Sequence, residues 1–447
     1  MTSPTIVWLR DDLRLADNPA LVAAAGRGEP VVLVYVLEEG SGIRPLGSAS
    51  RWWLHGSLEA LQRDVAVVLR QGAAEDVIPS LVAETGAGAV LWNRRYGGSR
   101  EIDARLKARL RDDGLDVRSF HANLLVEPWT LTTGQGGPYR VFTPFWKAAR
   151  ERAVREPLPV PTIEFADART DALADWNLLP TRPDWAEGLR EAWNPGERGA
   201  HDQLESFVDE RLADYHRRDE PAVQATSHLS PHLRFGELSP FQVWERLHGQ
   251  MGAAARKNVA KFLSELGWRE FNHSILFHTP DLATQNYRPA FDAFPWDDPD
   301  PGEFAAWREG RTGIPLVDAG MRELWRTGYM HNRIRMVTAS FLVKNLLVDW
   351  RVGEQWFWDT LVDADEANNP GNWQWVAGSG ADAAPYFRVF NPELQREKFD
   401  PAGRYVATWV PEFGTDDYPQ LIVDLAQTRK DALAAYEHVK AAADAPR

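Results

Sequence analysis

Polar and aromatic residues are concentrated between positions 363 and 395, where they could bind a planar, polar ligand. Two carboxylates stand two positions apart, two consecutive amides follow, and two tryptophans flank a glutamine. These residues are Asp363, Asp365, Asn368, Asn369, Trp373 and Trp375. Gly and Asn disfavour helix interiors and a buried amide needs a partner, so the composition is unlike that of a core helix. A Gly-broken connection between two helices, with two core tryptophans, explains the same composition equally well.

The segment 256–278 carries a second candidate binding surface. Positions i, i+3, i+4 and i+7 of a helix share one face, and here they hold an acid, a large ring, a guanidinium and an amide. These residues are Glu265, Trp268, Arg269 and Asn272. A polar stripe with an embedded Trp suits a groove for a polar aromatic ligand. A surface helix with an intrahelical Glu265–Arg269 pair, worth only about 0.3–0.5 kcal/mol, is the alternative.

Two further segments show residues that could contact a ligand. The segment 329–344 has Asn332, Arg333 and Met336 on one side of a helix and Arg335 turned away, so the two arginines address different partners. Hydroxyls at positions 226, 227 and 230 precede a helix start at Ser239-Pro240. Hydroxyls and backbone N–H groups before a helix can bind phosphate, although simple capping by Ser and Thr is more common.

Composition narrows the classes of protein that remain. The 447 residues carry a net charge of −14, which argues against a generic nucleic-acid coat but allows a local basic patch. The chain has no Cys, which excludes disulfides, thiolate zinc sites and thiol catalysis. The longest apolar run, at 31–37, is far too short to span a bilayer. We therefore expect a cytoplasmic protein.

The elements that must position these residues fall into two domains. Apolar runs alternate with helical patterns up to about position 128, which predicts a parallel sheet covered on both faces. The predicted strands lie at 5–10, 31–37, 66–70 and 89–92, and a helix follows at 99–112. Helix 50–64 runs into strand 66–70 without a turn residue, whereas such loops take about 2–6 residues, so either the loop is short or residues are missing.

The rest of the chain predicts an interdomain linker at 129–196 and an all-helical domain at 197–447. The linker is rich in Pro and Gly and has little periodicity. A 3.6-residue pattern dominates the helical domain. Its clearest helices are expected at 200–217, 240–248, 256–278, 315–328, 331–347 and 353–361. The fold class is thus α/β plus all-α, with a Rossmann-like sheet domain first.

Five motifs stand in order along the chain: VWLRDDLRLADNPAL, TSHLSPHLRFGELSP, GWREF, GIPLVDAGMRELWRTGYMHNRIRM and the stretch from 363 to 395. Together they resemble the DNA photolyase/cryptochrome family, most of all its bacterial cyclobutane pyrimidine dimer (CPD) photolyases. The resemblance implies FAD in the helical domain, active as FADH⁻. It also implies an antenna chromophore in the sheet domain, either a folate (MTHF) or an 8-hydroxy-deazaflavin. Glu101 is only an approximate match to the family's folate-binding acid.

The resemblance assigns cofactor roles to individual positions. Contacts to the FAD phosphates and neighbouring groups are implied for Tyr215, Thr226, Ser227, Leu229 and Ser230. Near the flavin ring, Arg335 is paired with Asp363, Asp365 is a flavin or ribityl contact, and Asn369 faces flavin N5. A cation near N1 and C2=O stabilises an anionic reduced ring.

Substrate and electron-transfer roles are implied in the same way. The dimer pocket and adjoining DNA match Glu265, Trp268, Arg269, Asn272, Asn332, Arg333, Met336, Trp375 and Gln395, with Arg269 and Arg333 holding phosphates. Electrons from the surface would reach the flavin through Trp296, Trp350 and Trp373, which the residues alone would assign to packing.

The implied reaction is the light-driven repair of CPDs in UV-damaged DNA by electron transfer from excited FADH⁻, by a monomer without a metal. A cryptochrome-type photoreceptor is disfavoured because the pocket residues are present. A (6-4) photolyase is disfavoured because only His331 stands where that class has a His pair.

Overall fold

A five-stranded parallel sheet forms the N-terminal part of the chain in the computed structural model, which describes residues 3–40, 42–248, 255–383 and 387–444. The strand order is β3-β2-β1-β4-β5. The strands are β1 Thr5–Leu9, β2 Val31–Glu38, β3 Val68–Gly72, β4 Ala89–Asn93 and β5 Asp116–Phe120. Between them lie α1 Pro19–Ala25, α2 Ser48–Asp64, α3 Ala74–Thr85 and α4 Arg100–Asp112. β1 and β4 are buried along their whole length, as continuous apolar runs in a covered sheet should be.

The structure adds two details to the predicted sheet: the length of the connection between α2 and β3, and a fifth strand. The connection between α2 and β3 consists of only residues 65–67, with Val65 already extended. β5 was not predicted. It is an edge strand in which only Val117 is buried, so its sequence lacks the apolar run that marked the other strands.

Helices dominate the remainder of the chain. They are α5 Phe142–Ala149, α6 Glu187–Ala192, α7 Glu197–Ser206, α8 Ser230–Arg234, α9 Pro240–His248, α10 Ala255–His278, α11 Pro301–Glu309, α12 Pro315–Thr327, α13 Asn332–Ser340, α14 Trp350–Thr360, α15 Asn368–Ala377, α16 Pro392–Phe399, α17 Arg404–Trp409 and α18 Leu425–Asp444. The sheet followed by a helical domain confirms the predicted fold class. Among the residues the structure describes, no helix has the length and hydropathy of a membrane span.

Several helices depart from their predicted limits. The predicted helix 200–217 is α7 followed by a π-helical turn at Phe207–Arg211 and a 3₁₀ helix at Leu212–Arg217. The predicted helix 331–347 is α13 followed by a π-helical turn at Phe341–Asn345. The division into 1–128, 129–196 and 197–447 stays a prediction. Within the middle segment, α5 packs on α10 and α6 packs on α12.

The polar stretch from 363 to 395 contains a helix, α15, which the sequence did not predict. Its first turn is capped by Asp365, whose Oδ1 accepts from the backbone N–H groups of Ala367 and Asn368 at 2.8 and 2.6 Å. It ends at Gly378, which has a φ of +100°. Packing against α14 and this cap outweigh the poor helix propensity of its Asn and Gly residues.

Candidate functional site

Asp363 joins three segments that are distant in sequence. Nη1 and Nη2 of Arg335, on α13, donate to its two carboxylate oxygens at 3.0 and 2.9 Å. The hydroxyl of Ser230, at the start of α8, donates to the same carboxylate at 2.6 Å. Burial opposes the charge on the guanidinium, yet Asp363 raises the pKa of Arg335. This group therefore presents a fixed cation beside the 226–230 loop.

The 226–230 loop has a donor set that fits a phosphate group. Ser227 is held at its backbone, because Nε2 of Gln203 donates to its carbonyl at 2.6 Å. Arg211 donates through Nη1 to the carbonyl of Thr226 at 3.5 Å, and its buried Nε has no hydrogen-bond partner. The unpartnered N–H of Arg211 and the hydroxyls of Thr226 and Ser227 together form a set of donors suited to an anion.

Leu229, within this loop, packs in the same apolar core as Tyr215. Both side chains are buried. Burial is also the main cause that raises the pKa of Tyr215. Leu229 can therefore contact a cofactor only through its backbone.

Asn369 has a fixed amide orientation. Its Nδ2 donates to the backbone carbonyl of Glu354 at 3.0 Å and to Oε1 of the same residue at 2.8 Å. Both amide hydrogens are thus used, and Oδ1 accepts no hydrogen bond from the described residues. A free carbonyl oxygen is the acceptor that an N–H of a reduced flavin ring requires, so this residue fits its predicted role. Glu354 was not identified from the sequence, because it stands in an ordinary amphipathic helix.

Asp365 has another set of neighbours. Besides capping α15, it accepts from Nδ2 of Asn368 at 2.7 Å. It lines a large cavity between the sheet and the helices, together with His273 and Arg234. The structure therefore places Asp365 in the wall of this cavity and gives it no bond to Arg335 or Ser230.

Three of the predicted substrate residues line one small hollow. Trp268, Asn272 and Trp375 border this shallow depression. Trp268 stacks on Phe142 with ring centroids 3.8 Å apart, which fixes the plane of its indole. Nδ2 of Asn272 donates to Oδ1 of Asn368 at 2.9 Å, so the hollow lies directly next to the segment that carries Asn369.

Glu265 and Arg333 are paired with charged neighbours. Glu265 is half-buried and lies 2.9 Å from Nζ of Lys261 and 3.6 Å from Nε of Arg218. Arg333 donates to Asp219 at 3.0 Å, and its Nη1 lies 3.9 Å from Sδ of Met336.

Asn332 and Gln395 have side-chain atoms that accept or donate no hydrogen bond within the part of the chain that the structure describes. Asn332 is exposed, and no described residue bonds to its amide. Gln395 has a buried Oε1 that lacks a partner. Both are therefore free to bond to a ligand or to DNA.

Arg269 does not lie with the other substrate residues. Its Nη1 donates to the carbonyl of Asn123 at 2.9 Å and lies 3.3 Å from Oε1 of Glu270. It also lines the cavity between the sheet and the helices. The prediction that Arg269 holds a DNA phosphate is therefore not supported, because position i+4 of this stripe turns towards the N-terminal part of the chain.

Glu270, which follows Arg269 in the sequence, is a buried acid whose ionisation should make the free energy of unfolding depend on pH. It accepts from the backbone N–H groups of Leu125 and Val126 at 2.7 and 3.2 Å. Burial is the largest influence and raises its pKa to about 7. Since the folded state then binds a proton that the unfolded state has lost, stability should fall as pH rises from about 4.5 to 7.

We expect Glu270→Gln to remove up to about 3 kcal/mol of this pH dependence, the equivalent of the pKa shift. Urea unfolding of the parent and the variant at pH 5 and pH 8 measures it. Glu245→Ala, at an exposed position, is the control. If the free energy of unfolding changes equally between pH 5 and pH 8 in the parent and in Glu270→Gln, Glu270 does not titrate in this range.

The three tryptophans of the implied electron path belong to one apolar cluster. Trp373 and Trp350 are buried, whereas Trp296 is partly exposed. Trp373 packs edge-on against Phe357 at 4.9 Å, and Nε1 of Trp350 donates to Asn286 at 2.9 Å. Of the three, only Trp296 reaches the surface, as the outer end of a path from the interior requires.

The large cavity has a volume of about 260 Å³ and opens to solvent. Its walls come from both halves of the chain, and the sequence did not reveal it. The lining includes Tyr35, Glu38, Arg44, Arg51, Arg95, Trp176, Arg234, His273, Asp365 and Glu366. Burial raises the pKa of Glu366, and its carboxylate accepts no hydrogen bond from the described residues. Glu101, the approximate match for a folate-binding acid, is exposed on α4 and does not line this cavity.

Comparison with known proteins agrees with this arrangement. Residues 5–162 match the family model described as DNA photolyase, and residues 262–415 match the FAD binding domain of DNA photolyase. The deoxyribodipyrimidine photo-lyase of Agrobacterium fabrum is 49% identical, over 98% of both chains.

Two solved structures are similar over nearly the whole chain. A bacterial class III photolyase from Agrobacterium tumefaciens has a TM-score of 0.95 at 49% identity, over 99% of this chain and 98% of the other. An archaeal photolyase from Sulfolobus tokodaii, solved with two FAD molecules, has a TM-score of 0.83 at 30% identity, over 97% and 99%.

The chain thus has the two parts of a class of FAD-binding proteins: a parallel-sheet domain comes first, and a helical domain that matches the FAD-binding model follows. The chain belongs to the DNA photolyase/cryptochrome family, and the resemblance noted in the sequence motifs is confirmed. Within the described residues, no group of three or more His, Asp or Glu side chains is placed to hold a metal ion.

Proposed function

We propose that this protein repairs cyclobutane pyrimidine dimers in DNA by light-driven electron transfer. The observation that carries the proposal is the position of the hollow lined by Trp268, Asn272 and Trp375. Its Asn272 is bonded to Asn368, the neighbour of the amide that fits flavin N5. A dimer docked over the hollow would thus lie close to the cofactor, as electron transfer requires. The photo-lyases that this chain resembles support the same activity.

The residues fit FAD, held by the 226–230 loop and Arg211 at its phosphates. Arg335, paired with Asp363, provides the cation beside the ring, and Asn369 provides the acceptor at N5. FAD bound there in its reduced form would supply, under blue light, the electron that splits the cyclobutane ring, and it would take that electron back afterwards. The protein supplies orientation and electrostatics and needs no nucleophile.

Damaged DNA is the proposed partner. A flipped-out thymine pair would lie between apolar surfaces of Trp268 and Trp375, while the amide of Asn332 and the free Oε1 of Gln395 bond to polar groups nearby. Flipping costs a few kcal/mol, and less at a lesion that already weakens stacking. Glu265 can accept hydrogen bonds from the imide N–H groups of the thymines. That the protein acts as a monomer in the cytoplasm stays a prediction.

Repair of a single defined lesion tests the proposal. We expect the purified, reduced protein to restore an oligonucleotide that contains one cis-syn thymine dimer under blue light, and not in the dark. An oligonucleotide with a (6-4) photoproduct serves as the matched substrate control. Repair of the (6-4) lesion alone would assign the protein to that class, and repair of neither would point to light signalling.

Glu265→Ala is expected to lower the yield of dimer repair by about tenfold, the effect of one lost charge-assisted hydrogen bond to the substrate. The FAD content should not change, because Glu265 pairs with Lys261 and Arg218 and not with the 226–230 loop. Repair assays and flavin absorbance on the same preparation measure the two effects. Equal losses in both would show that Glu265 is not part of the dimer pocket.

Trp350→Phe should slow photoreduction of oxidised FAD by at least about tenfold, because Phe is far harder to oxidise than Trp. Phe preserves the ring in the cluster and loses only the bond to Asn286, worth about 1 kcal/mol. Repair should stay within about twofold once FAD is reduced chemically. Trp307→Phe, a buried Trp 6.4 Å from Trp373, is the control. Normal photoreduction in Trp350→Phe would exclude this path.

The large cavity between the sheet and the helices is the proposed site of a second chromophore. The Sulfolobus tokodaii photolyase, with its two FAD molecules, is described as implying a light-harvesting cofactor. The unpartnered carboxylate of Glu366 suits an N–H donor on a flat heterocycle, which both a folate and a deazaflavin have. The absorption spectrum of the purified protein distinguishes them, and Glu366→Ala should deplete the second band while retaining FAD.

A further inference from the structure

Arg44 contacts the flavin-binding half of the molecule although it belongs to the connection between β2 and α2. Its Nη1 and Nη2 donate to Oε1 and Oε2 of Glu354, on α14, and both distances are 2.7 Å. Its guanidinium also lies 3.8 Å from the ring centroid of Trp358. A bidentate, stacked arginine of this kind is held in one orientation.

Glu354 passes this constraint on to Asn369. The side chain of Glu354 is only 3% exposed. Its Oε1 accepts from Arg44 and also from Nδ2 of Asn369, at 2.8 Å. Arg44 and Asn369 therefore share one carboxylate oxygen, and the position of the guanidinium determines where that oxygen lies.

The position of the Glu354 carboxylate decides which way the amide of Asn369 faces. Carboxylate and carbonyl oxygens only accept, so a flipped amide would set Oδ1 against two acceptor oxygens, Oε1 and the backbone carbonyl of Glu354. Without the bidentate guanidinium, the carboxylate is free to turn away from Asn369. The amide would then no longer have one preferred orientation.

We propose that Arg44 is a positioning residue for the flavin reaction. By pairing with Glu354 it keeps Oδ1 of Asn369 turned towards flavin N5, where an acceptor favours the reduced ring, which carries a hydrogen on N5, over the oxidised ring, which does not. The inference rests on the proposed function, because that function places N5 beside Asn369. A residue outside the helical domain thereby sets the redox equilibrium of the cofactor.

A potentiometric titration of the FAD-loaded protein tests this role. In Arg44→Gln we expect the ratio of reduced to oxidised flavin at a fixed potential to fall about tenfold, which is about 30 mV for a two-electron couple. Arg44→Lys keeps a cation near Glu354 without the bidentate geometry, so its shift should be smaller. Because Arg44 borders the open cavity, water can reach Glu354 in these variants, so they should still fold, with a lower thermal stability than the parent.

Arg51→Gln is the matched control. Arg51 lines the same cavity, but it donates to the carbonyl of Asn177 at 2.9 Å and has no bond to Glu354. Its variant should titrate like the parent. If Arg44→Gln binds FAD, loses only thermal stability and titrates like Arg51→Gln, then Arg44 is merely structural and the proposal is overturned. A parent protein that binds no FAD would instead refute the proposed function.

Discussion

Asp363→Ala is expected to weaken FAD binding by about 100-fold. The carboxylate accepts two bonds from Arg335 and one from Ser230, and its side chain is 5% exposed. Breaking a buried ion pair by removing one partner costs about 3–5 kcal/mol, because the remaining charge is left uncompensated. Part of this cost appears as a lower free energy of unfolding of the variant. The rest, about 2.7 kcal/mol for a 100-fold change, is the cost of reordering Arg335 and the 226–230 loop around the cofactor.

Titration of FAD into the apoprotein, followed by flavin fluorescence, measures the effect. Asp363→Asn keeps one acceptor for Arg335 and should fall between the parent and Asp363→Ala. Glu75→Ala removes one partner of the exposed pair with Arg105 and should leave FAD affinity unchanged. FAD binding by Asp363→Ala at the strength of Glu75→Ala would show that this carboxylate does not organise the cofactor site.

Local sequence patterns predicted the structure correctly where each face of a helix or strand has a uniform environment. The apolar runs of β1 and β4 predicted two buried strands, because a strand covered on both faces needs no polar alternation. The spacing of Trp268 and Asn272 placed them on one helical face, and they do line one hollow. Helical spacing gives the angle of a side chain but not the neighbour that covers it. Arg269 lies on the same stripe and bonds to Asn123, and its predicted DNA role came from the family resemblance rather than from spacing.

Contacts between distant segments had no local signal. Arg44 and Glu354 are 310 positions apart, and each has an ordinary neighbourhood in its own element. The convergence of Ser230, Arg335 and Asp363 was anticipated only through the family resemblance, since their spacing alone allowed capping or surface pairing. α15 was missed because its stability comes from the cap by Asp365 and from packing on α14, which composition does not record.

Another buried carboxylate, Glu237, connects the sheet domain to the helices. Its Oε1 accepts from Nε1 of Trp53 at 3.0 Å, from the backbone N–H of Gly196 at 2.7 Å and from the hydroxyl of Ser57. Its Oε2 lies 2.5 Å from Nδ1 of His232. Trp53 and Ser57 belong to α2, whereas Gly196 and His232 belong to segments that follow the sheet domain, so one fully buried side chain holds both halves.

Glu237→Ala should therefore lower the free energy of unfolding by about 3–5 kcal/mol, because it leaves several buried donors without an acceptor. Glu237→Gln keeps the volume and one acceptor oxygen but loses the charge opposite His232, so we expect a smaller loss. Glu245→Ala, at an exposed position of α9, should stay within about 0.5 kcal/mol of the parent. Urea unfolding followed by circular dichroism gives all three values. Equal midpoints for Glu237→Ala and Glu245→Ala would mean that the joint between the two halves depends on their apolar contacts, such as Trp53 against Phe235, rather than on this carboxylate.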